Sequence, residues 1–398
     1  MKRDRVRRYT MFALLYFSQG TILSYFTALN ALYLLDHGLD MTQVGVFAAI
    51  ALVPFVIKVL LGMLSDNVNL LGLGHRKPYI LIGLLVQTLC LVAVPFIDPA
   101  AYYWGFVALA FTLQMGMALY DTCTDGLALD TTPEDEEGII QGFMVGGRAV
   151  GVVITASAVG LLAEQVSWAA VFWLLAGLTL LPIPMVLLAQ EPEHSVERAF
   201  DWGAFRAFRR TPVLALAALG FLFFLVITGT NQNVNPFLQA EFDIPLSMAG
   251  FLTTVWGLGV VGGGVTGGRL LTRLGDRRAT RIALVVSLFA IAALALTPTS
   301  LLAWPLVVLF GLAYGTYQTV YFALAMKYTD PRIAASMFAI LMASTNVGQG
   351  VGVALAGVLA DNAGFRWTFL LLTALNLAAL PLMPLVFGRR APRTAPGT

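Results

Sequence analysis

The sequence predicts an all-α integral membrane protein with twelve transmembrane helices, arranged as two pseudo-symmetric six-helix bundles. Three observations carry this. Of 398 residues, 58% are hydrophobic and 12% charged, with a mean hydropathy of +0.80, whereas soluble domains carry about 25% charged residues. The apolar residues fall into twelve runs, each near the roughly 20 residues that cross a bilayer. The second half of the chain then echoes the first.

Taken in order, the predicted spans cover about 9–34, 42–65, 78–97, 102–125, 139–163 and 167–190. Six more cover about 213–235, 246–270, 280–297, 302–326, 333–360 and 367–387. The amino terminus, "MKRDRVRRYT", is basic and then apolar, as in a signal peptide. The uncharged run from Tyr9 to Leu35 is too long for a signal core and ends without a small-residue cleavage site, so it is expected to remain as the first span. Between Ile282 and Met326 there is no charge, which leaves room for two helices split at "TPTS" from Thr297.

An even number of spans puts both termini on one side, and basic residues decide which. Of the 24 Lys and Arg, all but Lys58, Arg148 and Arg366 fall on one predicted face. The termini are therefore expected in the cytoplasm of a cell (inner) membrane. The stretch 191–212 interleaves Phe200, Trp202, Phe205 and Phe208 with Arg206, Arg209 and Arg210. That pattern suits an interfacial amphipathic linker between an amino-terminal bundle at 1–190 and a carboxy-terminal bundle at 213–398.

The halves match in detail. Gly160, Glu164 and Phe172 correspond to Gly357, Asp361 and Phe369 at one constant offset. "TTPE" and "TDPR" place a capping residue ahead of Pro133 and Pro331, as at a helix start. "LLGMLSDN…GLGHRKPY" supplies Gly62, Asp66, Arg76 and Lys77 between spans 2 and 3. "TGGRLLTRLGDRR" supplies Gly268, Arg273, Arg277 and Arg278 between spans 8 and 9.

Those two loops resemble the signature G-x-x-x-D-R-x-G-R-R/K of the major facilitator superfamily. The second has Thr272 in place of the acid, and the first has five extra residues before Arg76. The longer first loop, "FVIKVLLGMLSD", "DTCTDGLAL" and "SMFAILMASTNVGQGVGVALAGVLAD" are similar to the branch of muropeptide permeases, acetyl-CoA transporters and folate–biopterin transporters. The resemblance implies two parallel six-helix repeats rocking about a central site. It also implies a gating role for Gly62, Asp66, Arg76, Lys77, Gly268, Arg273, Arg277 and Arg278, stabilising the outward-facing state. Plain topogenic basicity remains open for the same residues.

Four ionisable residues are embedded: Lys58, Asp121, Asp125 and Arg148. Asp121 and Asp125, spaced i, i+4, share one helix face, and two acids with two bases make the neutral cluster that embedded charges require. One reading couples a proton to transport through Asp121 or Asp125; the other is a static ion-pair network near the inner mouth. Gln19, Thr228, Asn231, Tyr314, Gln318 and Tyr321 are the polar candidates for a substrate cavity, or alternatively interhelical hydrogen-bonding groups.

Catalysis has little to work with. His37, His75 and His194 are scattered, Cys90 and Cys123 lie in apolar runs, and no zinc, haem, P-loop or hydrolase signature occurs. No enzyme activity, metal or cofactor is expected, and no nucleic-acid partner. The sequence reads as a monomeric secondary active transporter in the lipid bilayer. It moves a small polar organic solute, of muropeptide or sugar–peptide type, by proton-coupled alternating access as a symporter. An assembly factor for a pigment or protein complex is the alternative.

Overall fold

Apolar helices with satisfied backbones are what a bilayer permits, and a computed structural model of the chain is built of them, with no strand among its described residues: 2–72, 74–132, 136–191, 209–328 and 334–387. Span 1 is Lys2–Ala28 continued by Asn30–Asp36 across a 48° bend. Span 2 is Met41–Val56 and Lys58–Asn67; span 3 is Lys77–Ala93; span 4 is Tyr103–Thr131. Span 5 is Glu137–Gln165, and span 6 is Trp168–Leu180 extended by Ile183–Leu187. Spans 7 to 10 are Thr211–Phe242, Leu246–Leu274, Asp276–Ala295 and Ser300–Lys327. Span 11 is Ala334–Ala363, and span 12 is Phe365–Asn376 with Ala379–Phe387.

Among the described residues eleven helices are long and apolar enough to cross a membrane, and the bent pair of span 1, taken as one span, makes twelve. Several helices outrun their predicted ends: span 4 continues to Thr131, and span 9 begins at Asp276 rather than near 280. The extra turns carry the charged contacts of Asp130 and Asp276 described below. Most of the expected interfacial linker, including Phe200, Trp202, Phe205, Phe208 and Arg206, lies outside the described residues. So do Pro133, Pro331 and the basic tail.

The two halves pack alike. Span 1 lies on span 5 as span 7 lies on span 11; spans 3 and 4 pair as 9 and 10 do, and spans 3 and 6 as 9 and 12 do. Between the halves, span 2 packs on span 11 and span 5 on span 8. Small residues allow these approaches: Gly147 and Gly151 sit on the Ala13 and Phe17 carbonyls of span 1, and Gly348 and Gly352 on those of Phe221 and Leu225 in span 7.

Two breaks in the first half are closed by amides from the second. Pro54 removes a backbone donor just before the interruption at Ile57. There Asn346 Nδ2 of span 11 donates 2.8 Å to the Phe55 carbonyl. At the bend in span 1, Asn235 Nδ2 of span 7 donates 2.8 Å to the Ala28 carbonyl and 3.1 Å to Thr253 Oγ1. A broken helix exposes carbonyls that lipid cannot solvate, so each break is tied to the opposite half.

Candidate functional site

The i, i+4 pair on span 4 faces spans 1 and 2. Asp121 is buried; it accepts a 2.5 Å hydrogen bond from Gln19 Nε2 and lies 3.5 Å from Lys58 Nζ. Lys58 owes its position to the break at Ile57, since it opens the inner segment of span 2. One turn along, Asp125 accepts a hydrogen bond from the Tyr16 hydroxyl. Among the described residues no cation lies within 4.0 Å of Asp125. Arg148 on span 5 is exposed, and among the described residues it makes no ion pair or hydrogen bond. The four embedded charges thus divide into one pair, one phenol-bound acid and one unengaged guanidinium.

The expected cavity residues are spread out. Gln19 joins the cluster, and Tyr314 is half-buried, its ring edge-on to Trp256 at 5.2 Å. Gln318 is half-buried one turn from Tyr314. Asn231 lines a small hollow with Thr27, Asn235, Thr253 and Trp256. Thr228 turns its hydroxyl back to the Phe224 carbonyl of its own helix. Tyr321 is fully buried inside the second half, filling the space left by Gly220.

At the face bearing the basic loops, Arg76 is the hub. It lies 2.6 Å from Asp66 and donates 3.1 Å from Nε to Asp130 Oδ2 and 2.8 Å from Nη1 to Ser65 Oγ. Burial works against its charge, but Asp66 and Asp130 outweigh burial and hold the guanidinium above its ordinary pKa. Glu191 accepts from the backbone N–H of His75, Arg76 and Lys77 at 2.6, 2.7 and 3.1 Å, which satisfies the start of span 3. Lys77 Nζ donates to the Leu187 and Ala189 carbonyls. Gly126 has no side chain because the Arg76 guanidinium occupies that space, 2.7 Å from where a Cβ would stand. All these partners belong to the first half except Glu191, the first residue of the linker.

The second loop builds its contact with opposite polarity. Asp276 pairs with Lys327 of span 10 at 2.7 Å, where Arg76 of the first loop pairs with Asp130 of span 4. Arg273, Arg277 and Arg278 are exposed, and nothing lies within 4 Å of where a Gly268 Cβ would stand, whereas a Cβ on Gly62 would come 3.1 Å from Thr122 Cγ2. Arg5 and Arg8 both bind Glu136, fastening span 1 to the start of span 5.

At the opposite face the halves meet through a repeated contact. Glu164, ending span 5, accepts 2.8 Å from the Ser247 N–H that begins span 8. Asp361, ending span 11, accepts from the N–H groups of Met41 and Thr42 that begin span 2, at 3.0 and 2.5 Å, and from Thr42 Oγ1 at 2.6 Å. Each carboxylate thus caps a helix of the other half, where the backbone dipole favours negative charge. Below each cap the helices touch backbone to backbone. A Cβ on Gly160 would come 2.7 Å from the Leu246 carbonyl oxygen, and one on Gly45 would come 2.6 Å from that of Val353; Gly250 and Gly357 are equally confined by Ala156 and Met41.

The sequence profile of the Major Facilitator Superfamily matches residues 11–342 and 236–398. The chain belongs to the major facilitator superfamily. Within it, the chain is 24% identical over 394 residues to the anhydromuropeptide permease of Escherichia coli (strain K12), covering 94% of this chain and 79% of the permease. It is 28% identical over 229 residues to the folate-biopterin transporter of Synechocystis sp. (strain ATCC 27184 / PCC 6803 / Kazusa), covering 55% of this chain and 45% of that one. Among solved structures, the nucleoside transporter NupG superposes with a TM-score of 0.76 at 15% identity, covering 97% and 99% of the two chains. The D-xylose-proton symporter superposes at 0.74 and 16%, covering 95% and 96%. At such identities these structures establish the fold alone. The relatives are membrane transporters of small solutes, and so is the class to which this chain is assigned; catalysis is not among their named activities.

Several site residues of this superfamily member escaped the sequence reading. Tyr16, Asp130, Glu191, Asn235, Asn346 and Asp276 act through contacts with distant spans, and no local spacing marks them. Glu164 and Asp361 were visible as a matched pair, but most of their donors are backbone N–H groups. Removing both charges by Glu164→Gln with Asp361→Asn is expected to loosen this face. Each charged cap contributes about 1–2 kcal/mol, so the pair favours closure by roughly 30- to 1,000-fold. The check is alkylation of Thr27→Cys in the hollow beneath by an impermeant maleimide, expected to rise at least tenfold; an unchanged rate would mean that the caps do not hold the face shut.

Proposed function

We propose that this chain is a proton-coupled secondary active transporter, a symporter moving a small polar organic solute by alternating access. The bundles at 1–190 and 213–398 rock against each other, joined by the linker at 191–212, in a monomer. Its basic loops and both termini lie in the cytoplasm, and it resides in the inner membrane, in keeping with the basic-residue asymmetry. One observation carries the reading. The halves are fastened by two symmetric caps at one face, while the embedded charges lie toward the other, where nothing stands within 4 Å of the place a Cβ on Gly146 or Gly268 would occupy. That is the geometry of a site open to the cytoplasm. A solute of muropeptide or sugar–peptide type is favoured by the likeness to the anhydromuropeptide permease.

Asp125 is the coupling acid. Lys58 neutralises Asp121, whereas among the described residues Asp125 holds the Tyr16 hydroxyl and has no cation within 4.0 Å, which leaves it as the embedded acid free to exchange a proton. The test is uptake of a labelled anhydromuropeptide into proteoliposomes with and without an imposed pH gradient. Asp125→Asn is expected to lose gradient-driven accumulation and to retain solute exchange. Asp121→Asn is expected to lower both, since it strands the Lys58 ammonium. Undiminished accumulation by Asp125→Asn would sink the coupling assignment, and absence of gradient-driven uptake in the parent protein would sink the proton linkage.

A further inference from the structure

Resting on that reading, we infer that Arg148 is the anchor for a single carboxylate of the transported solute, and that Asp125 and this carboxylate compete for it. Helix geometry aims Arg148 into the space between the halves. Gly147 and Gly151 touch span 1, and Val152 and Val153 approach Gly257 of span 8. At 100° per residue, position 148 falls between those two faces and opposite the exposed, lipid-side Val150 and Ile154. Its charge reaches Tyr16 and Asp125 in its own half and Tyr314 across the interface. An exposed guanidinium here, with no ion pair or hydrogen bond among the described residues, is a fork of donors shaped for a planar oxyanion.

Charge counting sets the ligand class and the stoichiometry. The groups facing Asp125 are Tyr16 from span 1, Lys58 from span 2, Asp121 from its own helix and Arg148 from span 5. Lys58 and Asp121 cancel. With Asp125 ionised, it cancels Arg148 and the cluster is neutral. Once Asp125 is protonated, Arg148 is left as one uncompensated positive charge, which one carboxylate balances. A proton and a monocarboxylate therefore enter together, and neither alone gives a neutral site; a dianionic phosphate overcharges it. When Asp125 releases its proton to the cytoplasm, the regenerated carboxylate takes back the Arg148 charge and the solute leaves. Each cycle carries one proton and one negative charge, so transport through this site is electroneutral for a solute with one carboxylate.

The experiment is equilibrium binding to the full chain in nanodiscs. The probes are a 1,6-anhydromuramyl compound with one free carboxylate and its methyl ester, at pH 6 and pH 8. The parent protein is expected to prefer the acid to the ester by roughly ten- to a hundredfold at pH 6, the discrimination of one charged hydrogen-bonded pair, and to lose most of that preference at pH 8. Arg148→Gln should bind both forms equally at both pH values, and Arg148→Lys should restore part of the preference. Asp125→Asn should prefer the acid at both pH values, because the competitor is gone. Retained discrimination in Arg148→Gln overturns the anchor, and a pH-dependent preference persisting in Asp125→Asn overturns the competition. Proton-driven uptake of acid and ester alike would leave the transport reading standing and this inference refuted; binding and uptake of neither would refute both for this solute.

Discussion

Gly357→Val will leave the protein folded but unable to close its cap-bearing face, and concentrative uptake will fall by about a hundredfold or more. At this position a Cβ overlaps the Met41 carbonyl oxygen, and the Gly45 Cα lies 3.2 Å away. No side chain stands between the helices to rearrange, so relief requires spans 2 and 11 to separate. Overpacking usually costs about 1–3 kcal/mol, and here the obstacle is backbone on both sides. The separation also pulls Asp361 off the Met41 and Thr42 amides, adding the loss of a cap to the clash. Alkylation of Thr27→Cys should accelerate while solute exchange from the face bearing the basic loops slows. Gly262→Val in span 8 is the control, since nothing lies within 4 Å of where its Cβ would stand. If Gly357→Val transports normally, backbone contact at this face is not part of the cycle.

Arg76→Gln will destabilise the first half by about 3–5 kcal/mol, the usual cost of breaking a buried ion pair from one side. Arg76 is 8% exposed and holds Asp66, Asp130 and Ser65 at once; without it those two carboxylates lose the cation they share. Asp130→Asn should cost less, because Asp66 still pairs with Arg76. Thermal unfolding in detergent, followed by tryptophan fluorescence, reads both variants. Equal losses would show that the hub is not Arg76. Gly126→Leu should resemble Arg76→Gln, since the new side chain claims the space of the guanidinium.

Much of this architecture was legible because a membrane forces one-dimensional signals. Apolar run lengths give the spans, and the match of Gly160 and Glu164 with Gly357 and Asp361 gives the repeat. The helix breaks were only half legible. Pro54 announces the interruption before Lys58, but nothing local announces the bend after Ala28. The charge cluster was legible as a list and not as a circuit. Gln19, Lys58 and Asp121 come together across three spans, while Arg148 is left apart, and only packing decides which cation meets which acid. Tyr314 and Tyr321 share a helix and a spacing, yet one meets Trp256 and the other fills the Gly220 gap. Sequence periodicity places both on span 10 but does not say whether the neighbour is a cavity or another helix.

The two caps differ from ordinary ion pairs in where their information is stored. Glu164 and Asp361 are side chains, but most of what they grip is peptide N–H at the first turn of a helix, which every residue except proline supplies. The donating segments accordingly need not match: Met41–Thr42 and Leu246–Ser247 share no residue. Inheritance of the contact through duplication thus needed only an acid and a glycine to persist in each copy, with no matched change in the other half. A substitution that removes these N–H donors is nearly confined to proline, so damaging variation at this face should concentrate on the accepting carboxylates and their neighbouring glycines.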